Sequence, residues 1–442
     1  YTVGMLFPEF RKAKEWRRIA IERLNRQLDE DVYPDGMEVE LAAGYSNWVI
    51  ANLTYLLERA ESVGLRDEIP DDFLTRLERA YDYHLYAMMP NGHIPGLNDS
   101  GPANVKGHLS KAYGLFPKRE DFLFGSTLGA QGTKPSKLSV AFPYSGHFVM
   151  RSGWDADAVY ALLDSGPFGY GHQHEDKLTF VLYAHGRSLL LDPGNFSYDR
   201  SPARYYVLGT HGHNTIMVDG EGQKRRGYRD TYVWPKPWDT PTPAGDDTLW
   251  QSTPEADFVR GSYTDGYGPG AAIRVEHTRR MVYAKPDYFI VLDTLEPDDD
   301  KEHSYTSLFH IDDTEATLDE TTLAVETHTP EKANLALIPA RQAGLSAQVV
   351  KGQKEPTMQG WSNGPWREVP TAVYTWSAKG VSHRATVVYP LKPGQTCPVQ
   401  SVALATSSEQ ADITVRFADG TAHRCRLALT DAGDAVALTR QQ

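Results

Sequence analysis

The polar and apolar positions divide the chain into two regimes. From Glu9 to Leu28 the apolar residues are Phe10, Ala13, Trp16, Ala20, Leu24 and Leu28, mostly three or four apart, which predicts an amphipathic helix. A second helix is predicted roughly from Ala42 to Val63, with Tyr45, Val49, Leu53, Leu56, Leu57 and Ala60 on one stripe. A third runs roughly from Asp71 to Met89, with Asp71 as its N-cap. The joint Val32-Tyr33-Pro34-Asp35-Gly36 is turn chemistry. Successive long helices with short joints predict an α-solenoid or an (α/α) toroid. Between Asn91 and Lys137 the periodicity breaks into loops and short helices, ending in a linker near Lys134-Pro135-Ser136.

After about Ser139 short strand-like runs take over. Among them are Phe148-Val149-Met150, Ala158 to Leu163, Leu178 to Tyr183, Tyr288 to Leu292 and Ala385 to Tyr389, bounded by Gly, Asp and Pro. Some twenty such runs without intervening helices predict a large antiparallel β-sandwich. The expected architecture is α+β and multidomain: residues 1–137 as the C-terminal part of a toroid with loops, and 138–442 as the sandwich, with a subdivision near 340 left open. No internal repeat or low-complexity tract is present.

Composition removes several classes. Of 442 residues, 40% are hydrophobic and 23% charged, enough to build a core. The mean hydropathy is −0.48, and no apolar run has the length of a membrane span. The 45 basic and 58 acidic residues give −13, which argues against a broad nucleic-acid footprint. A local basic cleft for an anionic ligand stays compatible with that net charge. Two cysteines, Cys397 and Cys425, exclude a disulfide scaffold and a Cys-rich zinc site, leaving one bridge or two thiols. The chain starts at Tyr1-Thr2-Val3-Gly4 and enters a helix almost at once, so a preceding segment carrying any targeting signal is expected.

The informative stretch is Gly169-Tyr170-Gly171-His172-Gln173-His174-Glu175-Asp176, followed by Asp192-Pro193-Gly194 and His211-Gly212-His213-Asn214-Thr215. Next to a Gly-rich loop, one His of the His-x-His pair can face a cleft while the other turns inward to meet an Asp ending a strand and a His starting one. His174, Asp192 and His213 are good ligands for Zn²⁺. A metal-free His–Asp hydrogen-bond network is an equally simple reading of the spacing. No His-Glu-x-x-His is present, which counts against a metalloprotease.

These blocks resemble a known family. The run from Ser145-Gly146-His147-Phe148-Val149-Met150-Arg151-Ser152-Gly153-Trp154, through His172-Gln173-His174-Glu175-Asp176 and Asp192-Pro193-Gly194, to His213-Asn214-Thr215-Ile216-Met217-Val218-Asp219-Gly220 is similar to the heparinase II/III-type polysaccharide lyases, whose architecture several alginate lyases share. Leu6-Phe7-Pro8-Glu9-Phe10 and Pro34 to Tyr45 resemble that family's late toroid helices, and Arg279 to Tyr288 with Leu308-Phe309-His310 its sandwich. The resemblance implies a cleft between toroid and sandwich. It also implies a structural zinc or other divalent ion on His174, Asp192 and His213, and a substrate-facing His172. The implied reaction is β-elimination at a uronic acid. A base takes the C5 proton, the C4–O bond breaks, and the carboxylate must be neutralised while charge develops.

Tyr45, following Glu40, matches the family's catalytic Tyr, although it also lies on the apolar stripe. Many relatives carry His after this Tyr; here it is Ser46. No block matches the family's carboxylate-binding Asn or His, which is expected upstream of Tyr1. Tyr198 is a second candidate Tyr, in competition with Tyr205 and Tyr206. Glu40, Arg204, Arg225 and Arg226 are candidate substrate-binding residues, with Lys224 and Arg229 in the same neighbourhood. Glu175 and Asp176 are expected behind the metal ligands, and Asp99 is expected to shape the cleft. The expected partner is an anionic uronic-acid poly- or oligosaccharide, with no nucleic acid, no membrane span and an oligomer not excluded. Heparan-type glycosaminoglycans, alginate and other uronans stay open, the net charge leaning toward less sulfated ones. The expected location is periplasmic or secreted. The competing readings are a uronate C5-epimerase, a two-carboxylate hydrolase using Glu40 and Asp99, and a glycan-binding protein without catalysis.

Overall fold

The structure is a computed structural model that describes residues 1–169, 171–224, 248–430 and 436–441. Its first part is helical: α1 (Thr2–Leu6), α2 (Ala13–Asp31), α3 (Ala43–Ser62), α4 (Asp71–Ala87), α5 (Lys106–Leu115) and α6 (Glu120–Ser126). On α3 the buried residues are Ala43, Ser46, Ile50, Leu53, Thr54, Leu57 and Ala60, a three-four spacing to which Thr54 adds a neighbour of Leu53. Tyr45 therefore lies beside that face rather than on it. Asp71 is the first residue of α4 and does not cap it; Pro70 holds the cap position in extended backbone.

Strands begin at Val140, and the first five (Val140–Phe142, His147–Arg151, Tyr160–Asp164, Phe180–Ala184, Arg187–Leu190) form an antiparallel sheet in sequence order. Its three central strands are buried at every position. Alternate residues explain why. Val149, Leu162 and Val181 face the helices, while Phe148, Met150, Leu163 and Leu182 face the sandwich core. Burial on both faces is also why these strands read as continuous apolar runs.

A bridge between Leu190 and Ile311 joins this sheet to a four-stranded one made of Ser346–Val350, Thr371–Lys379, Glu302–His310 and Ile216–Val218. Both pack against an eight-stranded sheet through one apolar core that includes Phe309, Tyr374, Phe289 and Val388. The other face of the eight-stranded sheet covers a last four-stranded sheet, Val399 to Gln441. The chain crosses position 340 within the eight-stranded sheet, because Asn334–Pro339 pairs with Ser382–Leu391; the separate sheet starts only at Val399. Cys425 is buried in this last core and Cys397 is half-buried, and both thiols are free.

The expectation of strands without intervening helices needs correction. Helix α7 (Pro202–Leu208) and a 3-10 turn (Thr210–Gly212) interrupt the sandwich. Ser201 caps α7 by accepting from the Arg204 N–H, with proline in the first turn.

The helical and strand parts are tied by hydrogen bonds as well as by apolar packing. The last carbonyls of α4 lack intrahelical partners. Arg151 donates to the carbonyls of Tyr86 and Met88, and Tyr160 to that of Ala87. On the facing loop, Asp35 accepts from the backbone N–H groups of Tyr144 and Ser145, each at 2.8 Å. Burial pushes its carboxyl up to about 6 against the pull of these donors. A carboxyl raised on folding contributes stability that is present below its unfolded value and lost as the pH rises through the folded one. The stability of wild type relative to Asp35→Asn should therefore increase as the pH falls from 7 to 4, by on the order of 1–2 kcal/mol. Urea melts at the two pH values check it; a constant difference would show that Asp35 titrates alike in both states.

Candidate active site

Four separate segments meet in one cleft at the seam between helices and strands. The first is the start of α3, where Tyr45 emerges beside the buried stripe. Its ring stacks on His172 with 3.8 Å between centroids and 16° between planes. Its hydroxyl lies 2.7 Å from the Tyr198 hydroxyl. Tyr198 is 61% exposed, and its own hydroxyl is 3.4 Å from His172 Nδ1. Burial, the Tyr45 hydroxyl and the Asp99 charge hold the Tyr198 phenol well above its usual range, so this group keeps its proton.

The second segment, 171–179, is irregular backbone that enters a strand only at Phe180. Freed from strand alternation, the two histidines diverge. His172 faces the cleft, with its Nε2 3.8 Å from Glu40 Oε2. Burial raises the Glu40 carboxyl, with His172 pulling the other way. His174 turns inward and is fully buried.

The third segment is the loop Asn98-Asp99-Ser100. Asp99 is 4% exposed yet carries charged partners on both oxygens. His172 Nδ1 lies 3.2 Å from Oδ2, His174 Nε2 3.0 Å from Oδ1, and the Arg204 guanidinium grips both oxygens. Burial alone would raise this carboxyl; Arg204 and His174 outweigh it and hold it well below the carboxylate range.

The fourth segment supplies Asp192 and His213, 2.8 Å apart between Oδ2 and Nδ1. One potential ligand atom from each of His174, Asp192 and His213 falls within 4.8 Å of the others. The outward nitrogens are already engaged: His174 Nε2 with Asp99 and His213 Nε2 with the Val207 carbonyl at 3.0 Å. His174 Nδ1 is buried and without a partner. Two imidazoles anchored from behind through Nε2, with His174 Nδ1 bare and His213 Nδ1 on the Asp192 carboxylate, fit a divalent cation. Burial opposes charge on His213, but Asp192 outweighs it and pushes the imidazole up to about 9. Asp176 is buried nearby, with its carboxyl raised by that burial.

Two sequence profiles match the chain. One described as heparinase II/III N-terminus matches residues 1–124, and one described as heparinase II/III-like, C-terminal, matches residues 134–362, just over half of the chain.

The chain belongs to the heparinase II/III-like family.

Among its relatives is a heparin-sulfate lyase of Bacteroides stercoris, 30% identical over 225 residues, covering 49% of this chain and 34% of that protein. Another, from Pedobacter heparinus, is 26% identical over 297 residues, covering 66% of this chain and 42% of that protein. The aligned stretches thus span 34% and 42% of the length of these curated relatives. In fold it matches a crystal structure of a heparan sulfate lyase mutant from Pedobacter heparinus, with a TM-score of 0.81 at 22% identity over 97% of this chain and 65% of that one. A heparinase III structure matches with a TM-score of 0.78 at 21% identity over 97% of this chain and 66% of that one.

Within this heparinase II/III-like chain, the expected site residues separate into three groups. Tyr45, His172, Tyr198 and Glu40 come together in the cleft, and His174, Asp192 and His213 converge beneath it. Tyr206 is removed from the competition, because it is fully buried with its hydroxyl bonded to the Trp361 carbonyl. Tyr205 is 54% exposed and makes no contact with Tyr45 among those described. Arg204, expected to bind the anionic substrate, is instead 8% exposed, with its guanidinium taken up by Asp99 and Asn195. Arg225, Arg226 and Arg229 lie outside the described residues. Ser46 sits on the buried face of α3 and is fully covered. The sequence reading missed Asn98 and Ser100 and undervalued Asp99. Their only local signal was a polar run inside a Gly/Pro loop.

Proposed function

We propose that this chain carries the acid–base centre of a polysaccharide lyase that cleaves a heparin- or heparan-sulfate-type glycosaminoglycan by β-elimination. The observation that carries the proposal is the contact of Tyr45 with both His172 and Tyr198 at the seam of the two folds. The heparin-sulfate lyases among the relatives support the substrate class. Net charge does not oppose a sulfated substrate, because binding is local.

Tyr45 and His172 form the proton-transfer pair. One takes the C5 proton of the uronate, and the C5–H electron pair becomes the C4–C5 double bond. The C4–O pair leaves with the departing sugar oxygen, which the other member protonates. Tyr198, held in its phenol form, donates to the Tyr45 hydroxyl. Glu40 is placed to accept from sugar hydroxyls and from a protonated His172.

A structural zinc or similar divalent ion would be held by His174, Asp192 and His213. The ion would supply positive charge and ligation that fix three loops under the cleft. Such binding needs unprotonated imidazole at His213 and so releases a proton.

A periplasmic or secreted location fits an extracellular polymer. No helix among the described residues is long and apolar enough to cross a membrane.

The test uses the full-length protein with heparan sulfate, heparin, hyaluronan, chondroitin and alginate. Ultraviolet absorbance of the new double bond should rise on heparan sulfate or heparin. A rise only on alginate would replace the substrate class. No rise on any polymer, with deuterium entering at C5, would replace the lyase with an epimerase.

A further inference from the structure

Three consecutive loop residues brace the cleft, two of them across its two halves. Asn98 donates to the Leu41 carbonyl at 3.1 Å and accepts from the His174 N–H at 2.9 Å. It does so from a left-handed backbone, φ 56°, which Asn tolerates better than most residues. Ser100 Oγ accepts from the Gly44 N–H at 2.8 Å. The N-cap of α3 is Ala42, which has no side-chain cap, so Ser100 supplies that cap from a loop 56 residues downstream. Between them sits Asp99. Its own N–H donates to the His172 carbonyl at 3.1 Å, so backbone and side chain both hold His172. The turn after Asp192 presses on the same loop. Gly194 has φ +59°, and a Cβ there would lie 2.8 Å from the Ser100 carbonyl oxygen.

We propose that Asp99 is a positioning residue, which fixes the His172 ring so that Nδ1–H points into the protein and the Nε2 lone pair points into the cleft beside Tyr45. A carboxylate shared with Arg204 has no proton to offer, so its contact with Nδ1 selects the Nδ1–H form. The opposite form would turn the lone pair toward Asp99, setting two acceptors against each other. Through His174 Nε2 the same carboxylate backs the candidate metal cluster. One buried group thus orients both histidines of the His-x-His pair. Its value to turnover rests on the lyase reading; its effect on the ring does not.

The experiment reads the ring directly. Side-chain ¹⁵N NMR of ¹⁵N-histidine protein assigns His172 by the resonance lost in His172→Gln. It is recorded at a pH where that ring is neutral. Wild type should show Nδ1 protonated and Nε2 bare, and Asp99→Leu, which removes both acceptor oxygens, should lose that preference. In parallel, kcat on the cleaved polymer should fall at least tenfold per folded, metal-loaded molecule, with KM within about threefold. Should the buried Arg204 cation, left alone, unfold Asp99→Leu, the double variant Asp99→Leu/Arg204→Gln removes both charges and is read in the same way. An unchanged Nδ1–H signature in the folded variant overturns the proposal. If no polymer is cleaved by wild type, the lyase reading fails while the NMR result still decides the role of Asp99.

Discussion

Replacing Tyr45 with phenylalanine should abolish most turnover while leaving the fold and the candidate metal cluster unchanged. The stack on His172 uses the ring, which phenylalanine keeps. What disappears is the hydroxyl, 2.7 Å from that of Tyr198. General acid–base groups contribute on the order of 10²–10⁴-fold. A loss of that size in kcat, with melting temperature and metal content at wild-type values, is the expected result. Activity within threefold of wild type would remove Tyr45 from the chemistry and leave it a packing residue. Tyr45 lies beside the buried stripe of α3, so the substitution opens no cavity in the core.

The largest effect on stability is expected at His213. It is fully buried, paired with Asp192 on one nitrogen and with a backbone carbonyl on the other. His213→Ala leaves Asp192 as a buried carboxylate without its cation, at a cost of about 3–5 kcal/mol. Metal analysis should find about one divalent ion per wild-type chain and almost none in the variant. Chelation of wild type should lower its melting temperature toward the variant's. By contrast, His172→Ala should keep the ion, because that ring faces the cleft. An ion count unaffected by His213→Ala would sink the proposed metal centre.

Much of this was legible because its signals are local. Helices α2, α3 and α4 announced themselves by apolar spacing, and the central strands by runs too continuous for one-sided burial. The divergence of His172 and His174 followed from the glycines around them, which relax strand alternation. Other features were hidden for physical reasons. A seven-residue helix such as α7 is too short for periodicity to register, so Arg204 read as one of several loop cations rather than a buried partner. Asn98, Asp99 and Ser100 act on groups 56 to 105 residues away. Such bonds between a side chain and a distant backbone or guanidinium leave no pattern along the chain. Tyr45 looked like part of the apolar stripe because Tyr serves both core and cleft; only the observed buried face separates the two.

The cap that Ser100 places on the helix bearing Tyr45 has a consequence for how this protein matures. A helix normally caps itself within its first turn and so can form early. Here Gly44 waits for a residue 56 positions downstream, and Tyr45 waits for a hydroxyl 153 positions away. Contacts at such separations are made only after the entropy of long loops has been lost, late in folding. The two parts produced as separate chains would each keep much of their own core, and the helix its Ser100 cap, yet Tyr45 would lose both His172 and Tyr198. A nascent or partly unfolded molecule without these contacts presents neither the capped helix end nor the Tyr45–Tyr198 pair to its surroundings.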